Sequence, residues 1–276
     1  MMNRKFFVSA VLFLAIIFFY NAPALSESHT IPPVPDEQRV REKQGQFVNL
    51  ELEFIKEDGK KVKLKELFRG KPVLLTLVYY QCPSLCGFML NSFNRTLKEM
   101  DWNVGDEFDV IVISFDWKES HELALAKKKA YLESYKKAHP ENTSSEIGWH
   151  FLTGTEEDIR NLTNNLGFYF EWNEKEKQWM HSTVLFAVQN DGIIKRYIYG
   201  LEFEISDLKM AIYESGGNKI GSWKEKAVFL FYKFNPETRK YYFSYPALTK
   251  LIISISFLIL GIGFFFYFLQ KFKNKE

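Results

Sequence analysis

The only two cysteines of the chain stand four residues apart, Cys82 and Cys86 in "VYYQCPSLCGFML" (78–90). Thiolates are the reactive species both for disulfide exchange and for binding soft metals, so all the sulfhydryl chemistry is gathered at one place. The stretch before it, "KPVLLTLVYY" (71–80), is a continuous apolar run between Gly70 and Pro83 and predicts a buried central strand. After it, Leu85, Met89, Phe93, Leu97 and Met100 recur at helical spacing, with Pro83 suited to the first helical position. Cys82 then falls at the helix entrance and Cys86 in the first turn, on one face, with Cβ atoms about 5–6 Å apart. The helix N-terminus favours negative charge, so both thiols are expected to ionise more readily than free cysteine.

Three chemistries fit such a pair: a structural disulfide, a redox dithiol, or a soft-metal site. A bridge closing so few residues removes little entropy from the unfolded chain, which weakens the first. A metal needs further ligands, and the five histidines are His29, His121, His139, His150 and His181. His181 opens the apolar run "HSTVLFAV" straight after the polar "EWNEKEKQWM", where a loop meets a sheet edge. Structural zinc usually takes four protein ligands, and there is no second cysteine pair to supply them.

Other elements must position these residues. "FVNLELEFIKEDGKKVKLKELF" alternates about Asp58-Gly59 as a β-hairpin does, and "FDVIVISFD" (108–116) reads as a second buried strand. Residues 119–138 read as a helix, "GWHFLTG" (148–154) as a strand, and 155–166 as a helix opened by a Thr155–Asp158 capping box. "HSTVLFAVQNDGIIKRYIYG" (181–200) reads as two strands joined through Asn190, Asp191 and Gly192, with a closing helix at 204–213. Strands alternating with helices imply an α/β sandwich with a mixed central sheet.

The two ends of the chain carry membrane signals. Arg4 and Lys5, an uncharged apolar run from Phe6 to Tyr20 and small residues at 22–26 form the layout of a secretory signal. "LIISISFLILGIGFFFYFL" (251–269) holds no charge and is long enough, at about 1.5 Å per residue, for a hydrocarbon core of about 30 Å. Lysines and arginines flank it on both sides, so orientation rests on the export signal, which sends the body outward and leaves the tail in the cytoplasm. The formal net charge of +2 gives no reason to expect nucleic acid as a partner, and basic runs such as "AKKKAYLESYKKAH" read as solvated helix faces. Residues 27–46, proline- and charge-rich, read as an extended leader. Nine aromatics in 223–246 fit either an interfacial aromatic belt or an extra hairpin turning at Asn235-Pro236.

"CPSLC" after an apolar strand, "FDVIVISFDWKES" as the next strand and "HSTVLFAVQNDGIIKRYIYG" about a hundred residues later together resemble the Sco/SenC family of copper chaperones for cytochrome c oxidase. The resemblance covers about 47–219 and implies a thioredoxin-like fold. The tail "KIGSWKEKAVFLFYKFNPETRKYY" resembles that of a membrane-anchored bacterial branch. The organisation so implied is a signal peptide or anchor (1–26), leader (27–46), thioredoxin-like copper-binding domain (47–219), aromatic-rich juxtamembrane segment (220–246), transmembrane helix (247–270) and cytoplasmic tail (271–276).

Carried over by position, the resemblance makes Cys82 and Cys86 thiolate ligands and His181 an imidazole ligand of copper, as Cu(I), Cu(II) or both. Asp116 falls on the family's acidic position at its strand end and supports the site. Gly87 stands where many relatives have proline, and Met180 where many carry an aspartate. The implied role is delivery of copper to the CuA site of the oxidase, from the extracytoplasmic face of the cytoplasmic membrane. That oxidase subunit, the membrane, and a periplasmic copper donor or thiol reductant are the implied partners. The alternative is a thiol–disulfide oxidoreductase, with Cys82 and Cys86 catalytic, that reduces the cysteines of the target site. Thioredoxin-like oxidoreductases keep a cis-proline beside the dithiol, and this chain has no proline between Pro140 and Pro236.

Overall fold

The computed structural model describes residues 40–83 and 85–273. The expected signal segment, most of the leader and His29 lie outside the described residues.

The elements follow the alternation read from the sequence. A hairpin, β1 (Glu53–Lys56) and β2 (Lys61–Lys63), is followed by a short α1 (Leu64–Leu67), β3 (Val73–Val78), α2 (Leu85–Glu99), β4 (Asp109–Ser114) and α3 (His121–Ala138). Then come α4 (Ser145–Gly148), β5 (Trp149–Thr153), α5 (Glu156–Leu166), β6 (Phe170–Asn173), β7 (Gln178–His181), β8 (Val184–Val188), β9 (Ile194–Tyr199) and α6 (Ile205–Ser215). The tail forms α7 (Trp223–Phe229), β10 (Tyr232–Asn235), β11 (Lys240–Phe243) and the long α8 (Tyr245–Lys273).

Seven strands form one mixed sheet in the order β2-β1-β5-β4-β3-β8-β9. β3, β4 and β5 run parallel, while β8 pairs antiparallel to β3, Thr76 opposite Leu185. Every residue of β3 and β4 is buried, because helices cover both sheet faces and an unbroken apolar run is the sequence such strands need. α3 packs on β5 and α2, and α6 on β8 and β9. Local signals bound α5, although only the Thr155 half of the expected capping box forms, the Asp158 carboxylate accepting the Thr155 hydroxyl at 2.7 Å rather than the Thr155 amide. Thr155 caps α5 by accepting the Asp158 amide at 3.2 Å, and Gly167 ends it at φ 61°, where a Cβ would collide with the Arg41 carbonyl.

Differences from the sequence reading arise where long-range pairing overrides local polarity. "EWNEKEKQWM" is not a loop: β6 and β7 form a two-stranded ribbon with Trp172 opposite Trp179 and Phe170 opposite His181. Its turn holds no glycine. The Asn173 side chain instead accepts the amides of Lys175 and Glu176, and Lys177 adopts φ 51°. His181 therefore ends a ribbon strand rather than opening a sheet strand. Of the two readings of the aromatic tail, the hairpin forms, with Asn235 opposite Lys240. Among the described residues one helix, over Tyr245–Lys271, is long and apolar enough to cross a membrane.

Candidate metal centre

β3, an interior strand, delivers the cysteine loop to the C-terminal end of the parallel strands. Tyr79 and Tyr80 remain buried beyond its end, and the chain turns with the Cys82 amide donating to the Tyr79 carbonyl at 3.2 Å. Glu119, just before α3, fixes this turn from the neighbouring connection. Its carboxylate accepts the amides of Tyr80 and Gln81, both at 2.7 Å, and the Ser114 hydroxyl at 2.5 Å.

The cysteines are thiols, not a disulfide. Cys82 is half-buried and lines a cavity of about 110 Å³ with Tyr79, Gln178, Met180 and His181 among its walls. Cys86 is buried, and its amide donates to the Cys82 sulfur at 3.4 Å, as the i, i+4 spacing allows. The expectation that both thiols ionise readily fails for Cys86. Its hydrogen bond with Cys82, and then burial, push its pKa well above the usual thiol value. Both favour the neutral thiol and outweigh the helix N-terminus there.

His181 meets this pair from the ribbon, with Nε2 3.3 Å from the Cys86 sulfur. Nδ1 lies 2.9 Å from the Ser182 carbonyl, which can only accept, so Nδ1 carries the proton and Nε2 presents its lone pair to the thiol. Burial lowers the pKa of His181, which keeps the imidazole neutral and ligand-competent. Among the described residues the Ser182 carbonyl, rather than a carboxylate, stands behind it, in keeping with Met180 at the preceding position.

Aromatic rings hold the histidine in place. Phe115 lies edge-on at 4.9 Å, Phe168 at 5.9 Å and Tyr79 at 6.0 Å between centroids. Trp179, two residues before His181 on the same ribbon face, packs on Phe170 and Trp117 at 5.4 and 5.5 Å. Asp116 acts here and not on His181: its Oδ2 accepts the Trp179 indole N–H at 3.1 Å.

The structure thus brings Cys86 and His181 into contact, sets Cys82 beside Cys86, and ties Asp116 in through Trp179. Among the described residues no three His, Cys, Asp or Glu side chains already converge as a metal cage. The donor types nonetheless fit one soft ion: two sulfurs and a neutral imidazole suit Cu(I) and, with a further weak ligand, Cu(II). Glu119 and the aromatic wall were not found by sequence reasoning. The only available signal for Glu119 was an acidic residue following a buried strand in "SFDWKES".

Comparison with known proteins gives the family and the fold. The SCO1/SenC family model matches residues 40–214. None of the curated proteins matches the chain. A candidate electron transfer protein from Aquifex aeolicus VF5 is 24% identical, the match covering 64% of this chain and 96% of that one with a TM-score of 0.55. BsSco, a member of the Sco family of cytochrome c oxidase assembly proteins with a disulfide switch, is 19% identical over 66% of this chain and 100% of its own, TM-score 0.48. Arabidopsis thaliana ScoI, solved with copper bound, is 20% identical over 59% of this chain and 94% of its own, TM-score 0.47.

Proposed function

Because the chain belongs to the SCO1/SenC family, we propose that it is a membrane-associated copper carrier of cytochrome c oxidase assembly, holding its cargo on Cys82, Cys86 and His181 and passing it to the CuA site. The observation that carries this reading is the 3.3 Å approach of the His181 Nε2 lone pair to the Cys86 sulfur. A dithiol built only for disulfide exchange has no need of an imidazole fixed in that tautomer. The neutral histidine is ready to ligate as folded. The thiols must give up protons, so copper uptake releases protons and strengthens as pH rises. Asp116, through Trp179, and the aromatic wall keep His181 at its station. The domain faces the extracytoplasmic side, with α8 in the membrane.

The test is titration of the reduced full-length protein with Cu(I) against a competing chelator, with X-ray absorption to count sulfur and nitrogen ligands. One copper with two sulfurs and one nitrogen is expected. Tight stoichiometric binding by a Cys82→Ser, Cys86→Ser variant overturns the assignment.

One observation favours a second reading, reduction of the target's cysteines. The half-buried Cys82 beside a buried Cys86 is the asymmetry of an attacking and a resolving thiol. Oxidase activity in cells separates the two. If His181→Ala supports full activity while Cys86→Ser does not, thiol exchange replaces copper carriage.

A further inference from the structure

The juxtamembrane segment is built onto the domain rather than strung beneath it. Glu225 of α7 accepts the Trp102 indole N–H at 2.9 Å and pairs with Lys209 at 2.5 Å, and Phe229 meets the Trp102 ring edge-on. The β10–β11 hairpin is held by Arg196, which donates to the Tyr241 hydroxyl at 2.8 Å and stacks over Phe234 at 4.5 Å. The Tyr241 amide donates to Asp207 at 2.7 Å. These contacts consume the inward faces of both elements.

The outward faces are the unusual ones. Trp223 and Leu230, seven residues apart and so on one helical side, are each 76% exposed, and Tyr245 is 71% exposed. On the hairpin, Tyr242 is exposed opposite an exposed Lys233. A soluble surface would gain nothing from large rings at these positions. Their place in the chain says what covers them. The Ser244 amide donates to the Phe231 carbonyl at 2.7 Å, so Leu230 sits beside the start of α8. From Tyr245 to the uncharged run beginning at Leu251 is six residues, roughly 9 Å of helix. That is close to the thickness of one headgroup layer, about 5–8 Å.

We propose that α7 and the outer face of the β10–β11 hairpin form a lipid-docking surface. Trp223, Leu230, Tyr242 and Tyr245 enter the bilayer interface, and Lys224 and Lys233 meet anionic headgroups, so the domain stands on the membrane in one fixed attitude. Aromatic rings with a polar edge and snorkelling lysines are the side chains that this layer accepts. The occupant is lipid, and the inference needs only that α8 crosses the bilayer.

Depth measurement by site-directed spin labelling tests it. Full-length protein with both native cysteines replaced by serine is labelled at Trp223→Cys, Leu230→Cys, Ile259→Cys or Lys175→Cys and reconstituted in phosphatidylcholine–phosphatidylglycerol vesicles. Each labelled protein is first required to keep the parent's thermal transition. Labels at 223 and 230 are expected at interfacial depth, several-fold less accessible to a water-soluble nickel chelate than the label at 175, with 259 in the hydrocarbon. Labels at 223 and 230 as accessible as 175 overturn the proposal, and leave the face to a protein partner. A water-exposed 259 overturns it too, by removing the membrane helix beneath it.

Discussion

His150 and His181 both end up largely enclosed by the fold, yet only one faces a thiol and a cavity. His150, in β5, spends both nitrogens inside the fold: Nδ1 faces Glu57 at 3.4 Å and Nε2 the Ile147 carbonyl at 3.1 Å. Glu57 also takes the Lys128 ammonium at 2.6 Å, closing a charge cluster in which all three groups are buried. His181 spends one nitrogen on a carbonyl and points the other at a thiol beside a cavity. A saturated histidine is structure. One whose second nitrogen meets a thiol at a cavity has the surroundings that the proposed ligand role needs.

That contrast can be broken experimentally, beginning with the largest effect. Replacing both cysteines with serine should abolish stoichiometric copper binding while the thermal transition survives, since neither thiol bridges the fold. Glu57→Ala should cost about 3–5 kcal/mol in chemical denaturation, because it strands Lys128 as a buried, unpaired charge. Copper affinity in the folded protein should be unchanged.

The same carboxylate sets an acid limit. Burial alone would raise the Glu57 pKa, but its hydrogen bonds to His150 and Lys128 outweigh this and hold it at about 2. A depressed carboxylate stabilises the fold fully above its unfolded value and loses that contribution as pH falls through its folded value. The window is therefore from pH 4.5 down to about 2, and roughly 3 kcal/mol is at stake. Denaturation midpoints of Glu57→Gln should decline less steeply across that range than those of the parent, keeping only the part due to other depressed carboxylates such as Glu225.

His181→Ala should show the opposite profile. Copper affinity should fall about tenfold or more, as when the support of a metal site is lost. The fold should lose about 1 kcal/mol. Smallest should be Asp116→Ala, which removes one hydrogen bond to the Trp179 indole: about 1 kcal/mol in stability, and a loss of copper affinity below that of His181→Ala. An affinity loss equal to that of His181→Ala would mean that Asp116 touches the metal.

The cysteine pair was legible from count and spacing, and the central strands from unbroken apolar runs, because both depend on neighbours in sequence. The two histidines could not be told apart in that way. Each precedes an apolar run, and what separates them is Glu57 in one case and Cys86 in the other, both about a hundred residues away. The β6–β7 ribbon was hidden by its polar turn, since cross-strand pairing of Trp172 with Trp179 is visible only once register is known. Glu119 was hidden because its partners are backbone amides, which leave no mark in sequence.

Glu119 also joins two equilibria. One carboxylate gathers the Tyr80 and Gln81 amides and the Ser114 hydroxyl, so the thiol loop takes its shape when α3 docks, before any ion arrives. Little ordering then remains for the moment of loading, and the ion meets a receptor whose entropy has already been surrendered. Mass action runs the other way as well: on the proposed reading, copper that binds only the folded loop should raise the denaturation midpoint, and whatever loosens the start of α3 should weaken its binding.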